Sequence, residues 1–103
     1  MTKYLLIEDP DGNVWSLPAS FVASNRAEYF AQLDADRGYG EFKKLYDEEY
    51  AYTLGDDFEL RDWLKGNFNW EHIKPHVKLK YRNPRDWDDW FSNAHIDIVT
   101  EET

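Results

Sequence analysis

The chain has no cysteine, a single methionine, five glycines and four prolines in 103 residues, and it has no long apolar run. Without cysteine, disulfides, thiolate metal centres, thiol nucleophiles and redox switching are all excluded. The longest early apolar stretch, Tyr4-Leu5-Leu6-Ile7, falls far short of a secretory leader or of the ~20 residues that span a bilayer. The expectation is a soluble cytoplasmic protein with no membrane partner. Positive charge is also scarce: 12 Lys and Arg against 21 Asp and Glu leave a formal charge of -9, which argues against the chain gripping nucleic-acid phosphates directly. No phosphate-cradling glycine loop of the P-loop kind and no serine in a nucleophile elbow is present.

What the chain does have is aromatic side chains, 17% of residues, as five Trp, seven Tyr and six Phe. A disordered acidic chain is poor in such residues, because it cannot bury enough apolar surface to offset chain entropy. Rings that each bury roughly 150–250 Å² can build a core from few positions. The length allows one modest core and leaves no room for a separate cofactor domain, so residues 1–103 read as one domain with no cofactor.

The punctuation of the sequence then divides that domain. Residues 4–7 and 14–17 flank the turn cluster Asp9-Pro10-Asp11-Gly12-Asn13, which predicts an N-terminal hairpin. From Pro18 to about Leu33 the spacing turns helical, with Val22, Arg26, Tyr29, Phe30 and Leu33 on one side and Gly38 as a stop. A second helix is predicted over Glu41–Leu54, with Phe42, Leu45, Tyr46, Tyr50, Thr53 and Leu54 as its apolar stripe. Asp56, three residues before Glu59, reads as the N-cap of a third helix carrying Leu60, Trp63 and Leu64 and closed by Gly66. Asn69 can cap one further turn, Trp70–Ile73, which Pro75 stops.

Residues 76–82 alternate cleanly, with Val77, Leu79 and Tyr81 opposed to Lys78, Lys80 and Arg82, and residues 95–100 read as a last strand with Ile96 and Ile98 on one face. The whole is a small α+β domain: an N-terminal β-hairpin, about three helices and two further strands in one antiparallel or mixed sheet.

Charge is segregated along this order. Residues 28–62 carry eleven acids against four bases, residues 63–85 carry six bases against one acid, and residues 86–103 carry six acids and no base. A basic strand face should therefore lie beside acidic helical and C-terminal surfaces.

Pairs such as Glu48-Glu49, Asp56-Asp57 and Asp88-Asp89 could supply general acid and base, but exposed, charge-rich segments lack the low-dielectric cleft that shifts a carboxylate for that work. A solvated face is the better reading. His72 and His76 have helical metal-ligand spacing, yet Pro75 lies between them and no third ligand is evident, so an ordinary capping or half-buried role is expected and no metal is assigned. The Asp9–Asn13 cluster lacks the glycine position and closing glutamate of a calcium loop.

Acids interleaved with rings are more telling, in Asp47-Glu48-Glu49-Tyr50-Ala51-Tyr52, in Asp62-Trp63 and above all in Asp86-Trp87-Asp88-Asp89-Trp90-Phe91. Carboxylates on a rigid surface can stand in for phosphates, and neighbouring rings add stacking or cation–π contacts to arginines of a basic groove. The candidate partner-binding residues are Asp47, Glu48, Glu49, Asp56, Asp57, Asp86, Asp88 and Asp89, with Trp87 and Trp90 as anchoring rings wherever they lie outside the core. The bland alternative is that the rings are core and the acids solubilise. For Lys78, Lys80 and Arg82, salt-bridge partners for the acids or protection of an edge strand is the expected role.

Residues 14–19 (Val-Trp-Ser-Leu-Pro-Ala), 26–31 (Arg-Ala-Glu-Tyr-Phe-Ala), 56–63 (Asp-Asp-Phe-Glu-Leu-Arg-Asp-Trp) and 69–76 (Asn-Trp-Glu-His-Ile-Lys-Pro-His) resemble small acidic proteins encoded by bacteriophages and prophages, over most of residues 14–80. That family carries no settled activity and hence no functional residues to transfer. The resemblance implies an origin: an accessory protein acting in bacterial cytoplasm. Together with the acidity, it gives the expectation of a non-enzymatic inhibitor of a host defence or nucleic-acid-processing protein, working through an acidic nucleic-acid-mimicking surface on a basic or nucleic-acid-binding partner. The alternative is a virion or host-takeover interaction module, homodimeric and using a hydrophobic aromatic patch. A small enzyme would need an enclosed pocket with shifted carboxylates.

Overall fold

A computed structural model of the chain describes residues 2–9, 12–81 and 95–101. Four strands, β1 (Thr2–Glu8), β2 (Val14–Pro18), β3 (Lys78–Tyr81) and β4 (His95–Glu101), form one sheet in the order β3-β2-β1-β4. Every neighbouring pair is antiparallel. The helices α1 (Ala19–Asp36), α2 (Phe42–Leu54), α3 (Asp57–Asn67) and α4 (Trp70–Ile73), with a 3-10 turn at Lys74–His76, all fall between β2 and β3. The α+β expectation therefore holds, with the sheet wholly antiparallel and the single turn after Asn69 counting as a fourth helix.

The hairpin joining β1 to β2 is closed by Asp9, which is only 3% exposed. Its carboxylate accepts from the Asn13 backbone N–H at 2.9 Å, from Asn13 Nδ2 at 2.8 Å and from Trp15 Nε1 at 3.2 Å. Gly12 takes φ 85°, a left-handed conformation that a side chain would strain. A buried carboxylate needs such donors, because an unpaired polar group away from water costs several kcal/mol.

The core lies between one face of the sheet and the helices. Leu5, Ile7, Leu17 and Ile96 meet Ala19, Val22 and Ala23 of α1, Leu60 and Leu64 of α3 and Ile73 of α4. On α1 the buried positions are Ala19, Val22, Ala23, Ala27 and Ala31, so alanines four apart form the inner stripe and let neighbouring elements approach closely. This displaces the predicted face: Tyr29 is 57% exposed, while Val22 and Arg26 do turn inward.

Helix ends follow local chemistry. Tyr39 N–H donates to Asp34 C=O and Gly38 N–H to Ala35 C=O, both at 3.0 Å, with Gly38 at φ 80°, which is a Schellman ending for α1. Asp56 caps α3 by accepting from the Glu59 N–H at 3.0 Å. Gly66 does not end α3, which continues to Asn67, whose Nδ2 donates to the Trp63 carbonyl at 3.1 Å. Asn69 and His72 form a reciprocal capping box, and Pro75 sits inside the 3-10 turn, where its missing N–H costs nothing. Lys3 ties sheet to helices: its ammonium donates to the Leu54 carbonyl at the end of α2 and pairs with Asp57 at 3.0 Å. Among the described residues no helix is long and apolar enough to cross a membrane.

Candidate functional site

The three long helices meet on Arg26, whose side chain is 11% exposed. Nη1 donates at 2.9 Å to Glu49 and at 2.9 Å to Thr53 Oγ1, both on α2, and Nη2 lies 3.5 Å from Glu59 on α3. The guanidinium carbon sits 4.7 Å from the Phe30 ring centre, 5.3 Å from Tyr52 and 5.9 Å from Trp63. A planar cation accepts rings above it and carboxylates in its plane, so one side chain satisfies both kinds of neighbour. Its Nε is buried without a hydrogen-bond partner.

Beside this post, among the described residues, are two grooves between helices. The larger, of about 780 Å³, runs between α1 and α2 and reaches the 3-10 turn; Phe21, Tyr46 and Tyr50 supply rings and Glu28 and Asp47 supply carboxylates. Ser24 and Tyr46 share a hydrogen bond at 2.8 Å across it, and the Phe21 ring lies 4.4 Å from that of His76. The second, of about 560 Å³, lies between α1 and α3, with Tyr29, Trp63 and Asp36 in its wall. Asn25 and Glu28 border both, making a polar ridge between them.

The candidate carboxylates have divergent placements. At about 100° per helical residue, Asp47, Glu48 and Glu49 fan around α2 and do not stand in a row. Glu49 turns inward to Arg26. Asp47 is exposed at the groove, with Lys43 one turn away at 2.9 Å, an exposed pair that opens at little cost. Glu48 is exposed elsewhere on the helix. Asp56 serves as the α3 cap and Asp57 as the Lys3 partner. Asp86, Trp87, Asp88, Asp89 and Trp90 lie outside the described residues.

Glu28 and Arg26 were not among the sequence candidates, although an arginine within an apolar helical stripe was visible. Glu28 gave no such signal, because its value comes from the facing Asp47 on another helix. The two histidines are occupied locally: His72 Nδ1 accepts from the Asn69 N–H at 3.2 Å, and His76 stacks on Phe21. Among the described residues no group of three or more His, Asp or Glu is arranged to hold a metal ion. Exposed rings are plentiful, with Tyr39 69%, Phe58 68%, Tyr52 53% and Phe42 39% exposed. Comparisons with models of protein families, with curated proteins and with solved structures each find no match.

Proposed function

We propose that the protein is a non-enzymatic binding protein of phage origin that inhibits a basic, nucleic-acid-processing or defence protein of the bacterial cytoplasm, presenting carboxylates and rings where that partner would take nucleic acid. The observation that carries the reading is the α1/α2 groove, in which Glu28 and Asp47 flank the rings of Phe21, Tyr46 and Tyr50. An arginine entering it would find a carboxylate for its fork and an aromatic face for its plane. The open groove leaves these carboxylates in contact with water, a setting for a charge that is recognised and not for one that transfers protons.

Capture of the partner from bacterial lysate on the tagged chain, followed by direct binding across a salt series, tests this. Binding should weaken steadily with salt and drop at least tenfold in the double charge reversal Glu28→Lys with Asp47→Lys. Binding indifferent to salt and to both reversals would defeat the electrostatic reading. It would favour the second one, a virion or host-takeover module docking through apolar surface, for which the exposed Tyr39, Phe42, Tyr52 and Phe58 are the supporting observation.

A further inference from the structure

The groove between α1 and α3 is shaped for more than a single side chain. Glu28 and Asp36 line it some two turns apart on α1, which is about 12 Å along the helix axis. Between these acids the walls are apolar and aromatic, supplied by Tyr29 and Leu33 of α1 and by Trp63 of α3. We infer that this groove takes an extended segment of the basic partner, carrying two arginines four positions apart with an apolar residue midway between them. The inference rests on the reading above for the basic character of the partner and adds a second groove to it.

Three observations carry it. The first is charge: among the residues lining the groove, the two acids are the charged ones. Neighbouring cations are placed elsewhere, with Arg26 committed to Glu49 and Glu59, and Arg37 and Lys65 exposed outside the lining. The second is that the rings are fixed before anything binds. Trp63 Nε1 donates to Asn25 Oδ1 at 2.9 Å, and the Tyr29 ring packs 5.6 Å from Trp63 and 5.2 Å from Phe30 while Tyr29 stays 57% exposed. A large exposed ring already held between two others has little freedom left to lose on contact.

The third is spacing. In an extended chain alternate residues share a side, so positions four apart stand about 13 Å from each other and match the two acids, while the position between them falls over the rings. Arginine suits both ends better than lysine, because its guanidinium can donate to a carboxylate while its plane lies against an aromatic face. Gln32 Nε2 donates to one oxygen of Asp36 at 2.9 Å, which steadies that carboxylate and leaves its other oxygen to a ligand.

The probe is the peptide acetyl-Arg-Ser-Leu-Ser-Arg-amide, titrated into the ¹⁵N-labelled full chain beside acetyl-Arg-Arg-Ser-Leu-Ser-amide, which has the same composition and charge. The first should give saturable shifts centred on the amides of Glu28, Gln32 and Asp36 and on the Trp63 indole N–H, and the second should bind roughly fivefold more weakly. Asp36→Lys should weaken the first peptide roughly tenfold and Tyr29→Ala roughly threefold, whereas Glu71→Lys, the same charge change at an exposed position of α4, should stay within about twofold. Both Asp36 and Tyr29 are exposed, and unchanged amide positions in the sheet show that each variant keeps its fold. Equal affinity for the two peptides, equal effects of the two lysine substitutions, or shifts centred elsewhere overturn the inference. No captured partner is needed for this test, so its failure leaves the reading above in place, and a partner that binds independently of charge defeats that reading without touching the peptide result.

Discussion

Arg26 is the residue on which the helical layer depends most. Truncating it to Ala leaves Glu49 and Glu59 without their cation and opens a gap among Phe30, Tyr52 and Trp63. The expected loss is about 2–4 kcal/mol, read from the midpoint of denaturant unfolding. Arg26→Lys should recover only part of it, because a point charge cannot serve two helices and three rings at once. Full recovery by Lys would show that charge alone matters. Asp9 is the other such residue: Asp9→Ala removes the carboxylate that accepts from Trp15 Nε1 and from the Asn13 backbone and side chain, and should cost about 2–3 kcal/mol in the same measurement. Both were legible only as residue types in a pattern, an arginine in an apolar stripe and an aspartate in a turn. Their partners stand on other elements or across the turn, and spacing does not reveal them.

At the scale of elements, the chain announces its own boundaries where the chemistry is local. Pro18, Gly38, Asp56 and Asn69 mark helix ends because caps and left-handed stops involve residues within five positions of one another. Gly66 misleads for the same reason. Nothing lies within 4 Å of a Cβ built there, and the packing of Leu64 and Phe68 against the core carries the helix through it. Gly66→Ala should therefore stabilise the protein by about 0.5–1 kcal/mol, seen as a higher thermal midpoint; a lower midpoint would mean that the glycine has a packing role. Ala27→Leu should do the reverse, at about 1–3 kcal/mol, because the inner stripe of α1 has no room for three more carbons. The misplaced face of α1 has a plain cause. Rings attract a periodicity reading more strongly than alanines, yet on a crowded helix it is the small residues that pack inward.

For the molecule as a whole, the segregation of charge along the sequence does not become segregation between layers, because the lysines of β3 share the sheet with Glu8, Asp97 and Glu101 while Lys65 and Lys74 stay with the helices. With a formal charge of -9, self-repulsion within the native state should be relieved by salt. The thermal midpoint is expected to rise between low and physiological ionic strength, and a flat response would show that the acids are already compensated by neighbours such as Lys3, Arg26 and Lys43. Sheet order and the grooves were beyond the sequence. Alternation identifies a strand and its faces but not its neighbours, and a groove exists only once two helices have chosen their crossing.

The pairing of β1 with β4 also sets a timetable. Residues 2–8 are synthesised well before residues 95–101, the strand that completes one side of β1. Throughout synthesis of the helices, the nascent chain must carry a central strand with one flank of amides and carbonyls bare. Closing it joins segments separated by almost the whole chain, the kind of contact that slows folding. A stalled or clipped product lacking β4 would expose that flank to other chains, and in such a product aggregation would begin at β1 although the missing strand is remote from it in sequence.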